Sequence, residues 1–162
     1  MATELEILQD YMMAEPVDLP AIFSDLGIEF SEEVIPESGY IECKDGQFKV
    51  VVNSTEGKQR RRFTAAHELA HYLMHRDLLC AGNRMNRHTD RLFGDGVKHN
   101  REQPFSHKHE VQANRLAAQI IMPAGRIINL WAEGERLDAL AARFDVSKAA
   151  MQVRLDSLGL KE

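Results

Sequence analysis

Two histidines four residues apart, His67 and His71, enclose a glutamate in the run His67-Glu68-Leu69-Ala70-His71. The run lies inside a stretch from about Gln59 to Arg76 in which Phe63, Ala66, Ala70, Leu73 and Met74 recur at spacings of three and four, the period of a helix with one apolar face. On such a helix, residues four apart differ by about 40° in direction and roughly 6 Å along the axis, so both imidazoles address one place. Glu68 lies about 100° round from His67 and stands beside that place rather than on it. Burying two imidazoles and a carboxylate is costly unless each is satisfied, so the rest of the chain must bring something to meet them.

The chain is 162 residues long, enough to bury a core without staples, and it reads as a single domain over 1–162. Within it, residues 1–136 form a core and 137–162 a helix-turn-helix-like C-terminal subregion. The stretch Met1 to Asp10 is acidic and no apolar run approaches the ~20 residues that cross a bilayer, which predicts a cytoplasmic protein without a membrane partner. Cys43 and Cys80 are too few for a disulfide framework and read as thiols. A net charge of −5 disfavours a general nucleic-acid surface. The cluster Arg60-Arg61-Arg62 reads as the solvated start of the helix.

Two short helices are predicted over Thr3 to Met13 and Leu19 to Leu26, separated by Pro16 and Pro20 and closed by Gly27. Tyr40 to Glu42 and Phe48 to Val52 flank Asp45-Gly46, the chemistry of a hairpin turn, and predict a small antiparallel sheet. From 80 to 108, Gly82, Gly94, Gly96 and Pro104 punctuate a polar stretch that reads as a functional loop over the cleft. A second helix is predicted from Lys108 to Met122, ended by Pro123, then a helix or turn from Gly125 to Gly134 carrying Trp131. Two short helices, Leu137 to Phe144 and Lys148 to Leu158, close the chain.

Two imidazoles and a neighbouring carboxylate suit a zinc ion, which accepts such ligands in a tetrahedron, keeps one position open and lowers the pKa of water there to about 7. Glu68 then serves as base toward that water and as acid toward the leaving amine. A third protein ligand is needed. The extended form with Gly and His three and six residues beyond the second histidine is excluded, because Met74 and Asp77 stand there. Glu110, opening the second apolar helix, is the best candidate, with Asn114 four residues later to steady it. His107 and His109, placed just before that helix, are alternatives.

These residues sit in blocks that resemble the ImmA/IrrE family of zinc metallopeptidases. The blocks are Arg62-Phe63-Thr64-Ala65-Ala66-His67-Glu68-Leu69-Ala70-His71-Tyr72-Leu73-Met74-His75, then Glu110-Val111-Gln112-Ala113-Asn114-Arg115-Leu116-Ala117-Ala118, continuing to Ile121-Met122-Pro123. The resemblance implies His67, His71 and Glu110 as zinc ligands and Glu68 as the catalytic glutamate. Family members often carry glutamate at Gln112 and phenylalanine at Leu116, and both departures leave the ligand set intact. His75 matches a frequent family histidine, either supporting the second ligand or ending the helix without a role. The implied fold is an α+β zincin-like core: a small antiparallel sheet, an active-site helix, a second ligand-bearing helix and a C-terminal helical pair. The implied partner is a helix-turn-helix repressor of the Xre type, or an antitoxin, with roles in stress response, mobile-element control or toxin-antitoxin modules. Manganese and iron remain alternatives to zinc, since availability as well as ligand type decides occupancy.

A protein substrate requires an extended backbone beside the ion, and Phe48 to Asn53 is the candidate strand edge. Oxyanion donors come from His88, His99, His107, Arg84, Arg101 or Tyr40, with no spacing rule to choose among them. Cys80 as an inhibitory thiolate is disfavoured, since an isolated cysteine usually serves as a small apolar residue. Two rivals belong to other classes. One is a metal-stabilised binding module without turnover. The other is DNA binding through Leu140 to Met151, whose rhythm is that of a helix-turn-helix presenting Lys148, Gln152 and Arg154 outward. Asp145 and Asp156 and the negative net charge count against the second.

Overall fold

A long helix, α3 (Lys58–Cys80), runs through the middle of the protein and is covered all round over Phe63 to Tyr72, where ten successive residues are buried. The computed structural model describes residues 2–80 and 105–162. The apolar stripe is therefore only part of what α3 buries: Ala65, Ala66 and Ala70 let neighbours approach on several sides, whereas Met74, a member of the stripe, is 46% exposed. The helix continues one turn past Arg76 to Cys80.

Before it come α1 (Glu4–Tyr11) and α2 (Leu19–Asp25), slightly shorter than predicted because Thr3 is the N-cap of α1, and Met12 and Leu26 are the C-caps of α1 and α2, rather than helical residues. Three strands follow: β1 (Glu29–Glu33), β2 (Gly39–Lys44) and β3 (Gln47–Asn53). The β2–β3 hairpin turns at Asp45-Gly46, where both residues have positive φ, 52° and 78°. The sheet order is β1-β3-β2, with β1 parallel and β2 antiparallel to β3. The expected all-antiparallel sheet is thus corrected to a mixed one. The segment from Val34 to Ser38 carries the chain past the end of β3, held there by Asn53, whose Nδ2 donates to Ile35 O at 2.9 Å and whose N–H donates to Ser38 O at 2.8 Å.

The registers sort the two faces of the sheet. Phe30, Gly39, Ile41, Cys43, Val50 and Val52 share the face toward α2 and α3, where Phe30 stacks on Phe23 with ring centroids 4.8 Å apart. Gly39 meets α3 so closely that a Cβ there would overlap the Thr64 methyl and come within 2.9 Å of Val51 O. On the same face Cys43 is joined to Cys80 by a disulfide, with Cα atoms 5.7 Å apart. This overturns the expectation of two thiols: the packing of α3 across β2 brings together residues that are 37 apart in sequence.

β3 lies between the other two strands, so Phe48 to Asn53 offers no free edge, and among the described residues the free edges belong to β1 and β2. After the undescribed residues come α4 (His107–Ile121), α5 (Ala124–Ala132), α6 (Leu137–Phe144) and α7 (Lys148–Ser157). α4 packs along α3, and no helix among the described residues is long and apolar enough to cross a membrane. The arginine cluster is less solvated than predicted. Arg61 pairs with Glu32 at 2.8 Å, and half-buried Arg62 donates to Val17 O at 3.0 Å, burial lowering its pKa.

Candidate metal centre

α3 and α4 bring three polar side chains into the core at one point. His67 and His71 are fully buried one turn apart on α3, and Glu110, 3% exposed, reaches them from the first turns of α4. The Nε2 atoms of the two histidines are 3.1 Å apart. Glu110 places Oε2 3.3 Å from His67 Nε2 and Oε1 3.1 Å from His71 Nε2. Donors held about 2.0–2.1 Å from a tetrahedral zinc are spaced roughly 3.3–3.4 Å from one another. The observed spacings of 3.1–3.3 Å fit that figure closely, so the donor set suits such an ion. Glu68 is also fully buried, on the same turn of α3.

The surrounding groups differ from expectation in instructive ways. Asn114, predicted to steady Glu110, instead contacts His67: its Oδ1 accepts from Nδ1 at 2.7 Å. That bond keeps the hydrogen on Nδ1 and turns the Nε2 lone pair toward Glu110 and His71. Glu110 and Asn114 lie one turn apart on α4, and from there Asn114 reaches the Nδ1 side of the His67 ring.

His75 is 6% exposed and sits with its Nδ1 3.0 Å from His71 Nδ1 and its Nε2 2.9 Å from Gln112 Oε1. Burial lowers its pKa, opposed by the Gln112 hydrogen bond, so the ring is neutral at pH 7. Phe105 stacks flat on His71, with centroids 3.9 Å apart and planes 2° apart, fixing the plane of the imidazole. Sequence reasoning passed over Phe105 and gave Gln112 no role. Gln112 stands two residues from Glu110, a spacing that points elsewhere on an ideal helix, and no periodicity selects it.

The remaining candidates divide plainly. His107 and His109 lie within α4 rather than before it. His107 is exposed, and His109 belongs to the helix cap, its Nδ1 accepting from the Ser106 N–H at 3.0 Å. Tyr40 is buried in β2. Cys80 is in the disulfide and offers no thiolate. Arg84, His88, His99 and Arg101, and most of the 80–108 loop expected to cover the cleft, lie outside the described residues.

At the C-terminus, α6 and α7 meet at Asp145, in the left-handed region at φ 55°, and Ser147 caps α7. Of the trio expected to face outward, Lys148 and Gln152 are exposed and Arg154 is not. Half-buried Arg154 donates from Nε to Met122 O at 2.9 Å, while Lys148 pairs with Asp138 at 3.3 Å and Gln152 bonds Asp156 at 2.9 Å.

Comparison with known proteins fits this picture. The family model Peptidase_M78, described as the IrrE N-terminal-like domain, matches residues 41–156. No curated protein matches the chain. Among solved structures, a Mycobacterium tuberculosis transcriptional regulator superposes with a TM-score of 0.59 at 16% identity, covering 94% of this chain and 46% of that one. The likeness is one of fold, and the chain spans less than half the length of that regulator.

Proposed function

Because this chain belongs to the Peptidase_M78 family, we propose that it is a zinc-dependent endopeptidase acting on a partner helix-turn-helix repressor of the Xre type or on an antitoxin. The observation that carries the metal reading is the convergence of His67 Nε2, His71 Nε2 and the Glu110 carboxylate at 3.1–3.3 Å in a fully buried setting. These three residues would hold the ion. Zinc, when bound, polarises the scissile carbonyl and brings the pKa of water down to about 7.

Glu68 accepts the proton that the attacking water loses as its oxygen bonds to the carbonyl carbon, then passes that proton to the amine that leaves. Asn114 holds the His67 ring in the orientation its ligand role needs. The substrate backbone lies along the free edge of β2, the strand that touches α3 at Gly39 and Thr64, one turn before Glu68. This replaces Phe48 to Asn53 as the docking edge.

The test is Glu68→Gln. The variant should bind zinc in the wild-type amount while losing cleavage of an Xre-type helix-turn-helix regulator supplied as substrate, by at least ~100-fold. Continued cleavage by the variant would remove Glu68 from the mechanism. Equal effects of wild type and variant on that regulator's target genes would favour the metal-stabilised binding module.

A further inference from the structure

Where two imidazoles meet, the direction of the hydrogen is open, because either ring donates or accepts. His71 Nδ1 and His75 Nδ1 form such a contact at 3.0 Å. The outcome matters: a hydrogen on His71 Nδ1 leaves a lone pair on Nε2, whereas a hydrogen on His71 Nε2 points at His67 and Glu110 and disqualifies the ring as a ligand. The choice is made one residue further out. His75 Nε2 lies 2.9 Å from Gln112 Oε1, a carbonyl oxygen that only accepts. His75 therefore carries its hydrogen on Nε2 and accepts at Nδ1, and His71 donates from Nδ1. The His71 lone pair then rests on Nε2, 3.1 Å from both His67 Nε2 and Glu110 Oε1.

We propose that Gln112 is a positioning residue which, through His75, sets the tautomer of His71 and hence its competence to bind the metal. His67 needs no such relay, since Asn114 Oδ1 accepts from it directly. His109, whose ring centroid is 4.6 Å from that of His75, does not compete for the role, because its Nδ1 already accepts from Ser106. A glutamine works here in one orientation only. Turning its amide by 180° presents Nε2–H₂, reverses both bonds of the chain and places a hydrogen on His71 Nε2. A carboxylate at position 112 accepts in either orientation and permits the competent direction alone.

The inference rests on the metal reading of the site, and its test separates the two. Zinc affinity of the full-length chain is measured by competition with a chromophoric chelator, and the histidine tautomers by imidazole ¹⁵N shifts of the zinc-free protein. Gln112→Leu should weaken zinc by roughly 10–100-fold and turn His71 from one tautomer into a mixture. Gln112→Glu should bind zinc at least as tightly as wild type. His75→Phe should weaken zinc to a similar degree, and adding Gln112→Leu to it should change nothing further, since both act through the one His75–Gln112 contact; the nitrogen shifts of His71 separate a change of tautomer from a loss of packing.

Unchanged affinity in Gln112→Leu, an additive double variant, or an unchanged His71 tautomer overturns the relay. Should Gln112→Leu fail to fold, weaker zinc binding by Gln112→Glu overturns it instead. If wild type itself binds no zinc, the metal reading falls, and the nitrogen shifts still decide the relay.

Discussion

The α3–α4 pair and the α6–α7 pair treat their polar side chains in opposite ways. In the first, His67, Glu68, His71, His75 and Glu110 are buried, and the ring nitrogens of the three histidines and the Glu110 carboxylate lie within 3.0–3.3 Å of one another in a chain of contacts. In the second, Lys148, Asp138, Gln152 and Asp156 are exposed and paired with close neighbours, and the one basic group turned inward, Arg154, is used up on a backbone carbonyl. Both pairs carried a functional motif in the sequence. Burial tells them apart: polar groups kept inside a core at high desolvation cost must be met there by hydrogen-bond partners or by a bound ion, while surface pairs contribute little and need neither.

The sharpest way to break the contrast is to remove one converging group. Glu110→Ala should lower zinc affinity by more than the roughly 10–100-fold expected of a supporting residue. It should also abolish the rise in thermal stability that zinc gives wild type, about 4 kcal/mol when free zinc is about a thousandfold above Kd. Thermal melts with zinc and with a chelator check both points, and a variant that zinc still stabilises would remove Glu110 from the ligand set.

Next in size is the packing that places α3 on the sheet. Gly39→Ala puts a methyl against Thr64 and Val51 O and should cost about 1–3 kcal/mol in urea unfolding, with part of the loss recovered in a Thr64→Ser background. An undiminished stability would mean that α3 is not seated where Gly39 indicates.

The same contrast explains what could be read ahead of the structure. The two histidines on α3 and the opening of α4 at Glu110 were legible because helical periodicity converts spacing into direction. The hairpin was legible because Asp45-Gly46 meets the demand for positive φ at both turn positions. α6 begins and ends where its apolar pattern does, Leu137 to Phe144.

β1 was not legible. Glu29-Phe30-Ser31-Glu32-Glu33 has one large apolar residue and three acids, and it is a strand only because β3 offers a partner and Phe23 a stacking face for Phe30. Without β1, the sheet reads as antiparallel and β3 as an edge. The Cys43–Cys80 bond and the Gln112–His75 contact were hidden for a related reason, since each joins residues on different elements and depends on how those elements pack.

Two smaller effects test the C-terminal side of the comparison. Arg154→Met removes the Nε hydrogen bond to Met122 O while keeping much of the apolar bulk. A charged donor on a partly buried carbonyl is worth about 1.5–3 kcal/mol, so stability should fall by up to that amount with zinc content unchanged. If DNA contact were the role of Arg154, stability would hold and a gel shift on the chain's own promoter region would weaken instead.

The least effect is expected from Lys148→Ala. Its Nζ lies 3.3 Å from Asp138, but both side chains are about two-thirds or more exposed, at 67% and 76%. Water screens such a pair, and holding two flexible side chains together costs entropy, so the change should stay within about 0.5 kcal/mol and leave both zinc binding and cleavage intact. Lys148 is also where a recognition helix would begin, so loss of a salt-dependent gel shift on this substitution would show that α7 reads DNA. A neutral result leaves α6 and α7 as helices that pack on the body of the protein, with the chemistry confined to the buried cluster between α3 and α4.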